Sequence, residues 1–216
     1  MSDPHHHHEP HDDERPHRHP LRPDQDDTIT YFRAMEIAVR ELLIDKGILT
    51  ADEIRRQVED MDKVGPAMGA RVVARAWTDP DYKRLLLTDG GAACEAVGLD
   101  RGNYKLVVVE NTSKVHNVVV CTLCSCYPRW LLGLPPDWYK SRNYRSRVVN
   151  EPRGVLREFG TLIPDDMVVR VHDSTADMRY LVLPRRPDGT QGWSEDRLAE
   201  LVTRDSMIGV AFARNP

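Results

Sequence analysis

Three of the chain's four cysteines stand in one six-residue stretch, Cys121-Thr122-Leu123-Cys124-Ser125-Cys126. A β-branched run, VHNVVV at 115–120, leads straight into it, and Pro128, Gly133, Pro135 and Pro136 follow. The first pattern predicts a strand and the second forbids regular structure beyond it. The cysteines are therefore expected on a tight loop hung from a strand end. No apolar run is long enough to span a bilayer, and the polar, His-rich start does not read as a secretory signal. The expected setting is cytoplasmic, where clustered cysteines serve metal binding or catalysis rather than a disulfide framework.

The spacing Cys-x-x-Cys-x-Cys narrows the chemistry. Structural zinc takes four ligands, usually as two separated pairs, and there is no second pair here. Iron–sulfur clusters also take four cysteines at other spacings. Cys94 lies alone in an alanine-rich helical stretch and reads as a small buried apolar residue. Three thiolates on one loop can cap a single ion from one face. Cys124 and Cys126 also bring the backbone amides between them close. Deprotonated amide nitrogens of Ser125 and Cys126 fit a square plane with two sulfurs. Cys121 is then axial, and one position stays open. Soft sulfur donors select a transition metal over magnesium or calcium.

The rest of the chain sorts into three parts. Residues 1–27 hold seven of the nine histidines and no Phe, Tyr or Trp, and read as a disordered His-rich tail. Imidazoles can buffer metal ions, and a solvated leader is the plainer reading. Residues 28–98 read as a string of helices broken at Gly47, Gly65-Pro66 and Gly90-Gly91, with a capping box at Thr50 to Glu53. Their apolar faces look too narrow for a bundle, so the stretch is expected to be an arm contacting a partner subunit. Residues 99–216 are expected to form a metal-binding catalytic domain, giving an α+β fold with short strands at 106–110, 115–120, 167–173, 178–183 and 208–212. Ser194 is expected to cap a helix reaching Val202. The net charge of −4 offers no nucleic-acid footprint.

The motif VCTLCSC followed by Tyr-Pro resembles the metal-bearing α subunit of nitrile hydratases and its relative in thiocyanate hydrolase. So do LLGLPPDWYKS, YRSRVV, EPR and the distal block RYLVLPRRPDGTQGWSEDRLAELVTRDSMIGV. The resemblance spans roughly residues 30–212. It implies a lyase hydrating a nitrile to the amide, as a hetero-oligomer with a β-type partner that supplies active-site arginines. An activator or metallochaperone is a further implied partner; nucleic acid and membrane are not. The implied ligands are Cys121, Cys124, Cys126 and the amide nitrogens of Ser125 and Cys126. Cys124 would be a cysteine sulfinic acid and Cys126 a cysteine sulfenic acid. Thr122 is the cobalt-type residue, implying one noncorrinoid Co(III) per chain rather than Fe(III). The sulfenate oxygen of Cys126 would be the nucleophile, or the base that activates water, with Ser125 orienting the claw.

One departure stands out. Most nitrile hydratase α subunits continue with Tyr-Pro-Trp-Pro, whereas Tyr127-Pro128-Arg129-Trp130 stands here, with arginine at the position where thiocyanate hydrolase also has it. Tyr127, Arg129 and Trp130 are the expected substrate-pocket residues. Arg129 puts a cation where an apolar wall is usual. That suits an anion such as thiocyanate, or a bulky polar nitrile such as the nucleoside nitrile toyocamycin. A non-enzymatic metal carrier is the remaining alternative. Trp138 and Tyr139 are expected to pack behind the loop. Arg142, Arg145 and Arg147 read as a solvated or subunit-facing cationic strip, His116 and His172 as satisfied core or interface histidines, and Asp173 as a turn residue.

Overall fold

The computed structural model describes residues 29–216, so the His-rich tail lies outside the described residues. Two compact units are distinguished, one ending at Ala51 and one spanning Asp52–Pro216. In the first, α1 (Tyr31–Asp45) starts where the Thr30 hydroxyl accepts from the Arg33 N–H. It buries none of its residues, and Phe32, Met35, Val39 and Leu42 form an exposed apolar stripe. α2 (Ala51–Asp62) opens on Asp52 and Glu53, which favour its positive N-terminal end. It too buries none of its residues.

From Gly65 onward the character changes. α3 (Pro66–Thr78), α4 (Pro80–Thr88) and α5 (Gly90–Ala96) follow in quick succession. Asp79 and Asp89 cap α4 and α5 through their carboxylates. The sequence expectation placed these three helices in an arm contacting a partner subunit; within this chain they contribute to a core shared with the strands. Val72, Val73, Leu86, Ala93 and Cys94 are fully buried in one core with the strands. The narrow apolar face of α3 is narrow because it is built of small residues. Gly69 lets Leu132 and Met207 press against the helix backbone, where a Cβ would lie 2.7 Å from the Met207 sulfur. Close approach substitutes for side-chain bulk.

The sheet component is two parallel pairs. β1 (Lys105–Glu110) pairs with β4 (Met178–Leu183), and β2 (Val115–Val120) pairs with β3 (Val168–Asp173). The two strands on either side of the 174–177 turn thus belong to different pairs. Between β2 and β3 run the cysteine loop, α6 (Arg129–Leu132), α7 (Asp137–Lys140), α8 (Arg142–Asn150) and α9 (Pro152–Glu158). Pro152 divides α8 from α9, since it has no N–H for the preceding turn. α10 (Glu195–Ala199) is capped by Ser194 and stops short of Val202. α11 (Arg204–Ile208) is closed by a Thr203 capping box and by Gly209 in the left-handed region. The expected strand at 208–212 is absent: Gly209 terminates a helix there, and buried Val210 packs as irregular chain. The fold is α+β, with the cysteine loop emerging from the end of β2.

Candidate metal centre

β2 is buried over its last five residues, and Cys121 continues that burial completely. The chain then turns outward, so Cys126 is half-buried and Cys124 exposed. The three sulfurs converge. Cys121 and Cys124 Sγ are 3.6 Å apart, Cys124 and Cys126 Sγ are 3.3 Å apart, and all three lie within 4.8 Å of one another. The Cys124 N–H donates to the Cys121 sulfur at 3.3 Å. The Cys126 sulfur and the N–H groups of Ser125 and Cys126 face the Cys124 sulfur and hold its thiol below the ordinary value. Burial, then the neighbouring sulfurs, push the Cys126 thiol up to about 12, opposed by the Arg179 charge. Three soft donors and two inward-facing amides on one loop are a donor set that fits a single thiophilic transition-metal ion.

The loop is held from behind by polar contacts. Asp173, at the end of β3, accepts from the Thr122 N–H at 2.9 Å and from the Thr122 hydroxyl at 2.6 Å. Parallel pairing makes this possible, because Val120 and Asp173 are register partners. Arg145 of α8 donates to the carbonyls of Thr122 and Leu123, both at 2.9 Å. Tyr139 of α7 donates to the Cys126 carbonyl at 2.9 Å, and Tyr144 of α8 donates to the Val119 carbonyl at 2.7 Å. Burial raises both phenols, so both remain protonated donors. Trp138, Tyr139, Tyr144 and Phe159 form an edge-to-face aromatic cluster beneath the loop. Asp173 is therefore a loop support rather than a turn residue, and Arg145 a loop clamp rather than part of a solvated strip. Arg147 does remain at the surface, paired with Glu151 and Glu158.

His116 and His172 stay off the sulfurs. The His116 Nε2 donates to the Gly209 carbonyl at 2.7 Å while its Nδ1 faces the Asn111 amide. The His172 Nε2 lies 2.8 Å from the Asn117 side-chain oxygen.

In front of the loop lies a cleft of about 250 Å³ lined by Cys124, Ser125, Cys126, Tyr127, Arg129, Trp130, Tyr104 and Arg179. Cys121 lies behind this surface. Tyr104, the residue before β1, and Arg179 of β4 reach the cleft and carried no sequence signal. The Arg179 guanidinium stacks 4.1 Å from the centroid of the Tyr104 ring, and Tyr104 in turn leans on Trp130. Trp130 rests on Gly102, whose φ of +77° and missing Cβ make room for the indole. Tyr127 Oη, Trp130 Nε1 and Arg179 Nε are buried without a protein hydrogen-bond partner among the described residues. Buried polar groups without a protein partner are uncommon in folded proteins. Among the described residues, no ion pair or hydrogen bond engages the Arg129 guanidinium.

A family model described as nitrile hydratase, alpha chain, matches residues 30–211. The cobalt-containing nitrile hydratase subunit alpha of Pseudonocardia thermophila is 53% identical over 180 residues, covering 82% of this chain and 88% of that protein. The thiocyanate hydrolase subunit gamma of Thiobacillus thioparus is 46% identical, covering 86% of this chain and 82% of that one. A solved structure of a mutant Fe-type nitrile hydratase from Comamonas testosteroni Ni1 superposes with a TM-score of 0.81 at 42% identity, covering 86% of this chain and 91% of that one.

Proposed function

The chain belongs to the nitrile hydratase α-chain family, and on that premise we propose that it is the metal-bearing half of a hydro-lyase that adds water across a C≡N bond to give the amide. The observation that carries this reading is the convergence of Cys121, Cys124 and Cys126 within 4.8 Å on one loop at the mouth of a polar cleft. The three sulfurs, with the amide nitrogens of Ser125 and Cys126, are the proposed ligands. Cobalt(III), one per chain, is favoured over iron(III) by Thr122 and by cobalt in the names of several relatives. Bound there, a trivalent ion supplies Lewis acidity toward the nitrile.

The protein's own groups do the rest. Cys124 as sulfinate and Cys126 as sulfenate would add oxygens to the lining of the cleft. The Cys126 sulfenate oxygen would add to the carbon of the C≡N group, or would take a proton from the water that does so. Arg179 is a cation beside Cys126 that this chain itself provides. A β-type partner supplies the further arginines. Asp173, Arg145 and Tyr139 hold the loop rigid, so the sulfurs need not reorganise during turnover. Arg129, Trp130 and Tyr127 form the substrate wall. An unpartnered guanidinium there favours a nitrile bearing hydrogen-bond acceptors, a nucleoside nitrile being one such substrate. The same cation favours thiocyanate as a second reading, which the 46% identity to a thiocyanate hydrolase subunit supports.

The deciding experiment is metal content and turnover of this chain co-produced with its partner subunits in cobalt-supplemented medium, after dialysis against EDTA. About one retained cobalt per chain with amide formation supports the hydratase. Cobalt retained with thiocyanate as the only substrate supports the hydrolase. Cobalt surrendered to the chelator, with no turnover, leaves a metal carrier.

A further inference from the structure

The claw cleft is not the only hollow that Arg129 and Trp130 wall. On their other side is a groove of about 390 Å³ lined by Gln57, Asp60, Met61 and Val64 of α2 and the turn after it, and by Gly133 and Leu134. At about 250 Å³ the cleft alone is smaller than the 300–1,000 Å³ usual for a small-molecule site. The groove alone, at about 390 Å³, falls within it.

The groove's shape is specified by close packing. Gly133 has a φ of +74°, and a Cβ there would lie 2.6 Å from the Val64 carbonyl oxygen. Only glycine lets the turn after α6 press against the end of α2. The resulting walls are apolar, with Met61 41% and Leu134 51% exposed. Gln57 and Asp60 add polar groups to the lining, and Arg129 lines both this groove and the cleft. Apolar walls with a few polar groups are the composition of a small-molecule subsite.

We infer that this groove is a second binding subsite, holding the portion of the substrate distal to its nitrile, and that it selects nitriles carrying a further ring with hydrogen-bonding substituents. The inference rests on the hydratase reading. The distal ring lies against Met61 and Leu134, its polar substituents meet Gln57 or Asp60, and the chain between ring and nitrile passes Arg129 and Trp130.

The test is steady-state kinetics of the holoenzyme with its partner subunits, on acrylonitrile and on a rigid hydroxybiphenyl carbonitrile. Met61→Trp and Leu134→Trp fill the groove from opposite walls. In both variants the ratio of kcat/KM for the biphenyl nitrile over acrylonitrile should fall about tenfold or more, the loss residing in KM. A general defect in folding lowers both substrates together and leaves the ratio unchanged. An unchanged ratio in both variants overturns the subsite. So does a parent enzyme that hydrates acrylonitrile and refuses the biphenyl nitrile. Failure of both variants to assemble also overturns it, because the groove is then covered by the partner subunit. A parent that hydrates neither nitrile removes the hydratase reading, and the subsite goes with it.

Discussion

Thr122 gives both its backbone N–H and its hydroxyl to the carboxylate of Asp173, at 2.9 and 2.6 Å. This pair ties the residue after the first cysteine to the far end of the neighbouring strand. It fixes the direction in which the loop leaves β2, and hence where Cys124 and Cys126 fall relative to Cys121. Asp173→Asn replaces one acceptor with an NH₂ group facing a donor. Groups that orient metal ligands typically contribute 10–100-fold to metal affinity. The variant should therefore lose cobalt to EDTA roughly 10–100-fold faster than the parent, by timed elemental analysis. Retention equal to the parent's would mean that Arg145 and Tyr139 hold the loop without Asp173.

Gly102 and Trp130 make a second coupled pair. A Cβ at 102 would lie 2.6 Å from Cζ2 of the indole, in a residue already at φ +77°. Gly98 offers an internal control, with a φ of +74° and nothing within 4 Å of its would-be Cβ. Alanine at either position bears the left-handed backbone cost of about 1–2 kcal/mol. Only Gly102→Ala adds overpacking, of about 1–3 kcal/mol. Denaturant titrations should rank Gly102→Ala below Gly98→Ala by that margin, with a shift in tryptophan emission for the former alone. Equal destabilisation would place the indole elsewhere in solution.

How far these features were legible in the sequence follows the range of the interactions involved. The cysteine loop was legible because its ligands are adjacent in the chain and the β-branched run before them is a local signal. Thr122's partner was not, because Asp173 meets it through parallel strands joined by a crossover of 47 residues, from 121 to 167, and register across such a connection leaves no local trace. Arg145 and Arg179 were invisible for the same reason. Their backbone setting is ordinary, and only the fold aims one at the loop carbonyls and the other at Tyr104. The packing of α3 was not legible because small residues score as weakly apolar, although Gly69 lets Leu132 and Met207 lie against the helix backbone. The strand expected at 208–212 failed at Gly209, whose left-handed cap ends α11.

His116 supplies a pH dependence with a defined sign. Burial holds its imidazole below the ordinary 6.5, against a smaller opposing pull from the Gly209 carbonyl. The unfolded chain binds a proton near pH 6.5 and the folded chain does so only at lower pH. Its contribution to stability is therefore complete above about 6.5 and is lost as pH falls from there toward the folded value. Protonating Nδ1 would set it against the Asn111 amide N–H. Urea midpoints of the parent and His116→Gln, measured at about pH 7.5 and about pH 5.5, should converge at the lower pH. A gap that stays constant would remove His116 as the titrating group.

Arg129 is where the substrate question is decided. Its guanidinium lines both the claw cleft and the adjoining groove, without an ion pair or hydrogen bond among the described residues. Arg129→Met keeps the length of the side chain and removes the charge and the donors. A charged hydrogen bond to substrate is worth about 1.5–3 kcal/mol, equivalent to roughly ten- to a hundredfold in kcat/KM. An acceptor-bearing or anionic nitrile should lose that factor, while an apolar nitrile of equal size should change by less than about twofold. A selective loss on thiocyanate in place of nitriles would move the chain to the hydrolase side of its family. Equal losses on every substrate would mean that Arg129 faces the partner subunit and positions the assembly, and the acceptor-bearing substrate class would then have to rest on Trp130 and Arg179 alone.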